Sequence, residues 1–276
     1  MIRQAIIPLA GLGTRLLPLT SVFPKELLPI NGKPGIEYIL DECQAAGIKE
    51  VIFIISKKKE MIKNYFFKDN FYKSIIKKKK DKRILHEYKK LIKYKKMIKF
   101  VYQNKPLGTG DAVLKTKKFI KDNYFLMLLP DDLIIKKNCS KKMINMHNKK
   151  KCSVMASMKV NKKTVNRWGI YSIYKKIDKD NFYINDVVEK PNIKQAPSNF
   201  AIIGRYILHK KIFNKLKNQK KGKGGEIHIT DAIKKLIRDG EKFIGHNFKG
   251  KYLDCGTMDG YINSSVEISK LWNFVW

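Results

Sequence analysis

The sequence predicts an α/β fold built on a doubly wound sheet, with a second half richer in strands than the first. Three observations carry this. Short aliphatic and β-branched runs recur along the first 130 or so residues; they alternate with segments whose apolar residues return every three or four positions; and two of the runs end directly in loops dense with glycine, lysine and aspartate. Strands joined by helical crossovers lie parallel, and sheets of that kind bind ligands at the strands' carboxyl ends.

Ile2 to Leu9 reads as a buried strand and Glu50 to Ile55 as a second one. Between them Ile36, Ile39, Leu40, Cys43 and Ala46 mark one face of a helix, and Gly47 stands where a helix C-terminus favours glycine. Lys99 to Gln103 and Tyr124 to Leu129 read as further strands, with a helix from about Gly110 to Ile120 between them. After about Cys139 the texture turns to strands: Cys152 to Val160, Gly169 to Ile173, Val187 to Glu189 and Ala201 to Leu208. Helices at about Lys210 to Asn218 and Thr230 to Asp239 flank a glycine-rich loop, Lys220 to Gly225. With no internal repeat and no long linker, residues 1–276 are expected to form one domain.

A chain of 276 residues with 43% apolar side chains has enough material for a large core. No apolar stretch approaches the roughly 20 residues of a membrane span, so no membrane partner is expected. The N-terminus runs straight into the first glycine loop, and a cleaved signal peptide would take that loop with it. Cys43, Cys139, Cys152 and Cys255 lie far apart with neither Cys-x-x-Cys nor zinc spacing, and Cys43 falls on the apolar face of its helix. From the free thiols and the position of that loop, a mature chain that starts at Met1 in the cytoplasm is expected. The formal charge of +35 invites a nucleic-acid interpretation, and between Lys57 and Lys99 there are 17 lysines and one arginine against four acids. Lysine, however, is in excess along the whole chain together with isoleucine and asparagine, as codon bias in an A/T-rich genome would produce. Arginine and interleaved aromatics are scarce in the densest run, so salt-sensitive attraction to polyanions is expected but specific nucleic-acid binding is not.

Chemistry concentrates in residues 10–34, Ala-Gly-Leu-Gly-Thr-Arg-Leu-Leu-Pro-Leu-Thr-Ser-Val-Phe-Pro-Lys-Glu-Leu-Leu-Pro-Ile-Asn-Gly-Lys-Pro. Gly11 and Gly13 let the backbone come close to a bound group with its N–H donors exposed, and Arg15 and Lys25 supply charge for a polyphosphate. No Gly-Lys-Ser/Thr closes a Walker loop, and the third glycine of the dinucleotide fingerprint is missing. Pro24 and Pro29 bracket Lys25 and Glu26, which predicts a stiff, extended stretch. Further on, Leu128-Leu129-Pro130-Asp131-Asp132 places carboxylates at a strand end, where alternation turns only one of the pair toward the site. Gln103, at another strand end, offers a donor and an acceptor to a base edge.

Taken together these segments resemble the sugar-phosphate nucleotidyltransferases, and the Pro-Lys-Glu form is most similar to their bacterial uridylyltransferase branch. Gly108-Thr109-Gly110-Asp111-Ala112, Trp168-Gly169-Ile170, Val188-Glu189-Lys190-Pro191, the stretch from Ala196 to Tyr206, the stretch from Gly224 to Ile233 and Tyr252-Leu253-Asp254-Cys255-Gly256-Thr257 carry the resemblance from Arg3 to about Ser265. It implies the nucleotide-diphospho-sugar transferase fold, a Rossmann-like mixed sheet, with the nucleotide held by about 1–138, the sugar by a β-rich extension of about 139–265, and a tail of 266–276. It implies Ala10, Gly11, Gly13, Thr14, Gln103 and Gly108 around the nucleotide, and Gly169, Glu189 and Lys190 around the sugar phosphate. Arg15, Lys25 and Lys190 become the catalytic cations, while Asp131 and Asp254 hold Mg2+. Three positions depart from the family pattern: Asp111 replaces histidine, Trp168 replaces tyrosine, and Ser21 stands where lysine is frequent.

The implied reaction joins UTP to α-D-glucose 1-phosphate, giving UDP-glucose and pyrophosphate, and the implied assembly is a homodimer or homotetramer. The apolar Trp272, Phe274 and Trp276 would bury in such an interface or against the chain itself. Glu226 and Asp231 either serve the substrate lobe, or Asp231 simply caps a helix. Use of dTTP or another hexose 1-phosphate, and from a different class a non-catalytic polyanion-binding role, are the alternatives to this function.

Overall fold

The computed structural model describes residues 2–79 and 81–271, so Lys80 and the Trp272, Phe274 and Trp276 tail lie outside the described residues. The strand Gln4–Pro8 (β1) leads through short 3-10 turns into a two-strand ribbon, Pro29–Ile30 (β2) and Lys33–Pro34 (β3), followed by the helix Gly35–Ala45 (α1) and the strand Glu50–Ile55 (β4). Ala5, Ile6 and Ile7 are wholly buried because both faces of the sheet are covered there, and for that reason the strand reads as one apolar run. α1 buries Ile36, Ile39, Leu40 and Cys43, and the chain leaves it through Gly47 at a φ of +85°.

The lysine-rich stretch forms three helices, Glu60–Phe67 (α2), Asn70–Lys79 (α3) and Lys82–Met97 (α4). Ile62, Phe66, Leu91 and Tyr94 turn inward, while Lys82, Lys89, Lys93 and Lys96 stand exposed along the outer face of α4. Asp81 caps α4 by accepting bonds from the backbone N–H groups of Arg83 and Ile84. The strand Ile98–Tyr102 (β5) and the helix Thr109–Lys115 (α5) follow. α5 stops several residues short of Ile120, because the Thr116 hydroxyl donates to the Val113 carbonyl at 2.7 Å and the Phe119 N–H folds back onto Thr116.

Beyond the strand Tyr124–Leu128 (β6) come the short strand Asp132–Ile135 (β7), the helix Cys139–Lys150 (α6) and the strands Ser153–Lys159 (β8), Gly169–Lys176 (β9), Asn181–Glu189 (β10) and Phe200–His209 (β11). The helices Ile212–Lys217 (α7) and Ile229–Arg238 (α8), the strands Phe243–Asn247 (β12) and Lys251–Asp254 (β13), and the helix Met258–Ser269 (α9) complete the described chain. Nine strands make one mixed sheet in the order β5-β4-β1-β6-β11-β8-β12-β10-β9. β5, β4, β1 and β6 are parallel, β11 runs antiparallel between β6 and β8, and β7 pairs with β13 in a separate ribbon that sets Asp132 opposite Asp254. The chain moves from β1 outward to β4 and β5, then returns to place β6 on the other side of β1. That reversal opens a crevice at the carboxyl ends of β1 and β6.

Alternation divides the core between the two faces. Ala5 and Ile7 pack with Ile36, Phe66, Tyr94 and Met143, and Ile6 packs with Val113, Phe213, Ile233 and Leu236. All four cysteines are buried free thiols, and no helix among the described residues is long and apolar enough to cross a membrane.

Inside this core lies a charged pair. Arg205 is fully buried in β11, with Nη2 2.8 Å from Glu42 Oε2 and Nη1 donating to the carbonyls of Leu129 and Gly204. Glu42 on α1 also accepts the N–H and hydroxyl of Ser140 on α6. Glu42→Ala leaves a buried guanidinium without a counter-charge and is expected to cost about 3–5 kcal/mol, read from the denaturant midpoint, whereas the paired change Glu42→Leu with Arg205→Met is expected to cost less.

Candidate active site

A cleft of about 410 Å³ occupies the crevice, and Ala10, Gly11, Gly13, Thr14, Lys25, Gln103, Gly108 and Asp131 are among the residues that line it. β1 delivers the glycine loop. Gly13 takes a φ of +72°, and the Thr20 hydroxyl donates to its carbonyl at 2.8 Å, folding the loop over the strand end. Ser21 is exposed and bonds the Pro18 carbonyl.

The Pro24 to Pro29 segment is not extended. Lys25–Leu27 form a 3-10 turn in which the Leu27 N–H donates to Pro24 at 2.9 Å and the Leu28 N–H to Lys25 at 3.2 Å. Each proline restricts only itself and the residue before it, which leaves Lys25 to Leu27 free to turn. The turn sends the two charges apart. Lys25 Nζ lies 2.7 Å from Asp131 Oδ2, while the buried Glu26 carboxylate accepts both of its 2.8 Å bonds from Lys59. Burial pulls the Lys59 ammonium below its ordinary value despite that partner.

The two aspartates after β6 part as alternation requires. Asp131 faces the cleft, whereas Asp132 accepts the Gly204 N–H at 2.8 Å and the Tyr252 hydroxyl at 2.7 Å. Burial favours protonation of Asp131, but the charge and hydrogen bond of Lys25 outweigh it and hold the carboxyl below its usual range. Burial, with repulsion from Asp131, pushes Asp132 up to about 6. Asp254 ends β13 and accepts the Gly256 N–H at 2.8 Å, while the Cys255 N–H donates to the Asp131 carbonyl at 2.7 Å. The three groups meet where Gly256 lacks a side chain: a Cβ there would stand 2.8 Å from Arg15 Nη2, 2.9 Å from Asp131 Oδ2 and 3.1 Å from Asp254 Oδ1. Arg15 is otherwise exposed and lies 3.6 Å from Asp131.

Among the described residues no cluster of three or more metal-ligating side chains is present, so a closed all-protein metal site is not built here. Two convergent carboxylate oxygens beside an open cleft suit Mg2+, which takes one or two carboxylates and completes its shell with water and phosphate oxygens.

Gln103 follows β5 and is 4% exposed, with its amide nitrogen bonded to the Gly108 carbonyl and to Asp111. Gly108 has a φ of +95°, and a Cβ on it or on Gly110 would come within 2.7 Å of the Ile227 carbonyl oxygen. The Gly110 N–H donates to that carbonyl and the Ile227 N–H donates to Leu107, which brings Glu226 to the cleft wall. Asp231 is not the residue from which α8 starts; it stands in the first turn after His228 and borders a separate surface hollow with Lys234 and Arg238.

Gly169, Glu189 and Lys190 are not among the residues that line the cleft. Gly169 pairs with Glu189 across β9 and β10, and a Cβ on it would come 3.0 Å from Glu189 Oε2. Lys190 leaves β10 at a φ of +46° with its N–H on the Trp168 carbonyl. Trp168 packs edge-on against Tyr252 at 5.9 Å, so this segment reaches the aspartates through the Tyr252 hydroxyl on Asp132. Sequence reasoning assigned no role to Lys59, Tyr252 or Gly256.

Comparison with known proteins places these motifs in context. The nucleotidyl transferase family matches residues 4–270. The UTP–glucose-1-phosphate uridylyltransferase of Mycoplasma pneumoniae is 39% identical over 96% of this chain and 91% of its own, and that of Pseudomonas aeruginosa is 36% identical over 96% and 95%. Among solved structures, a UDP-glucose pyrophosphorylase complexed with UDP-glucose superposes with a TM-score of 0.85 at 35% identity, covering 99% of this chain and 100% of the other. A UTP-bound UGPase from Acinetobacter baumannii gives 0.90 at 31% identity, covering 99% and 95%.

Gly256→Ala sets a methyl group between Arg15, Asp131 and Asp254, and is expected to weaken Mg2+ affinity measured with nucleotide present by about 10- to 100-fold.

Proposed function

The chain belongs to the nucleotidyl transferase family, and from that premise we propose that it is an enzyme joining UTP to α-D-glucose 1-phosphate to give UDP-glucose and pyrophosphate. The observation that carries the proposal is near full-length similarity to uridylyltransferases combined with one cleft that gathers a glycine loop, Lys25, Gln103 and Asp131.

A phosphate oxygen of glucose 1-phosphate attacks the α-phosphorus of UTP in line, and the bond to the pyrophosphate oxygen breaks. No side chain has to become a nucleophile, so the protein contributes positioning and charge neutralisation. The backbone of Ala10, Gly11, Gly13 and Thr14 holds the triphosphate, with the N–H groups as donors. Lys25 and Arg15 offset the charge that develops on pyrophosphate. Lys190 steers the attacking phosphate, Glu189 and the backbone at Gly169 hold the hexose, and Gln103 with the Gly108 backbone reads the base. Asp131 and Asp254 would hold Mg2+, which when bound neutralises phosphate charge. Residues up to about 138 thus serve the nucleotide and those from about 139 the sugar, with Glu226 and Asp254 reaching back from the second part. Homodimer or homotetramer formation is part of the proposal, supported by exposed Leu17, Val22 and Phe23, and light scattering reads it.

Pyrophosphate release with Mg2+, glucose 1-phosphate and each of UTP, dTTP, ATP and CTP tests the function; strong release with UTP alone is expected, and preference for dTTP would change the nucleotide assigned. Asp131→Asn is expected to lower kcat by about 10²-fold or more while the protein unfolds at a normal temperature, and full activity would remove Asp131 from the site. Lys190→Ala is expected to raise KM for glucose 1-phosphate about tenfold or more with a much smaller change for UTP; equal loss of both would reassign it.

A further inference from the structure

The amide nitrogen of Gln103 has two partners, the Gly108 carbonyl oxygen at 3.1 Å and Asp111 Oδ2 at 2.8 Å. A carbonyl and a carboxylate only accept hydrogen bonds, so the NH2 end must face them; turning the amide over would set its oxygen against two others. The side-chain oxygen of Gln103 is therefore the end left for a ligand, and no described residue donates to it. Asp111 is itself held, 7% exposed in the first turn of α5 with Lys115 Nζ 3.5 Å from its other oxygen.

We propose that Asp111 is a positioning residue for base selection: by pinning the Gln103 amide it presents the base with an acceptor and never a donor, and so selects a pyrimidine that carries a proton on N3. The proposal rests on the uridylyltransferase function above. Uracil has that proton. Cytosine has a lone pair at N3, and an acceptor facing it leaves two buried acceptors opposed. A site built to take a hydrogen bond from its substrate rejects an analogue that cannot give one. The histidine of the family pattern both donates and accepts, so it does not fix an amide as one-sidedly as a carboxylate does. At this position the departure from the pattern has a structural role, which is to hold the residue that reads the base.

The test compares kcat/KM for UTP and CTP, each with glucose 1-phosphate and Mg2+, in the full-length protein and its variants. Asp111→Ala is expected to lower the UTP to CTP ratio at least tenfold, because only the Gly108 carbonyl at 3.1 Å then opposes turning of the amide, which when turned donates to cytosine N3. Asp111→Asn keeps an acceptor oxygen and is expected to hold the ratio within about threefold of wild type. In a Gln103→Met background Asp111→Ala is expected to leave the ratio where Gln103→Met alone put it. An unchanged ratio in Asp111→Ala, even with both activities lowered together, overturns the proposal, as does equal loss in Asp111→Asn. If Asp111→Ala does not fold, Asp111→Val fills the same space without an acceptor and carries the same expectation. Wild-type protein that fails to turn over UTP would remove the proposed function, and the ratio of UDP to CDP affinities by calorimetry would still decide the role of Asp111.

Discussion

A single buried charge pair fixes the height of the site above the sheet. The guanidinium of Arg205 has no exposed surface, and such a charge is tolerated only while a counter-charge and hydrogen-bond acceptors surround it. Glu42 supplies the charge from α1, Ser140 of α6 orients Glu42, and the carbonyls of Gly204 and Leu129 take the remaining donors. Helices on one face, the antiparallel strand β11 and the loop leaving β6 therefore share one electrostatic solution. Leu129 is two residues from Asp131, so the carboxylate in the cleft takes its position from a pair buried beneath it.

A second clamp works from the other side. Asp132 ties the Gly204 backbone to the Tyr252 hydroxyl, and the Asp132 to Asp254 register of the small ribbon brings β13 alongside. Consecutive aspartates thus divide the work: one stays in the cleft with its charge stabilised by Lys25, the other spends its hydrogen bonds on architecture and is easily protonated. Gly204 is part of the same device. A Cβ there would stand 2.5 Å from Asp132 Oδ2 and 2.6 Å from Leu129 Cβ, so the close approach of β11 to the β6 loop requires glycine.

The first half of the sheet was legible because strands buried on both faces appear as unbroken apolar runs; the glycine loop, Gln103 and Asp131 were legible because they stand at the ends of such runs, and Lys25 because two prolines bracket it. α2, α3 and α4 were not, since Ile62, Phe66, Leu91 and Tyr94 make a thin inward stripe among lysines. β12, Phe-Ile-Gly-His-Asn, hides a strand behind a glycine and two polar residues. Lys59 could not be singled out from the Lys57-Lys58-Lys59 run; only its burial against Glu26 sets it apart. Gly256 matters because Arg15 and Asp131, from two distant segments, converge on it beside its neighbour Asp254, and no local pattern encodes that. The two prolines misled because their restriction is local: they fixed the ends of the Lys25 turn and left its interior free.

The outer face of α4, with Lys82, Lys89, Lys93 and Lys96 exposed, is part of a chain whose formal charge is +35. Whatever placed those lysines there, the field they create acts on any anion that approaches. Nucleoside triphosphates and sugar phosphates are drawn toward the protein before they find the cleft, so encounter becomes a biased diffusion problem rather than a random search. The bias extends only about 8–10 Å at physiological ionic strength, and added salt shortens it further. Capture rates, and with them the substrate concentration needed for half-saturation, therefore respond to the ionic medium, while the chemical step inside the cleft is shielded from it.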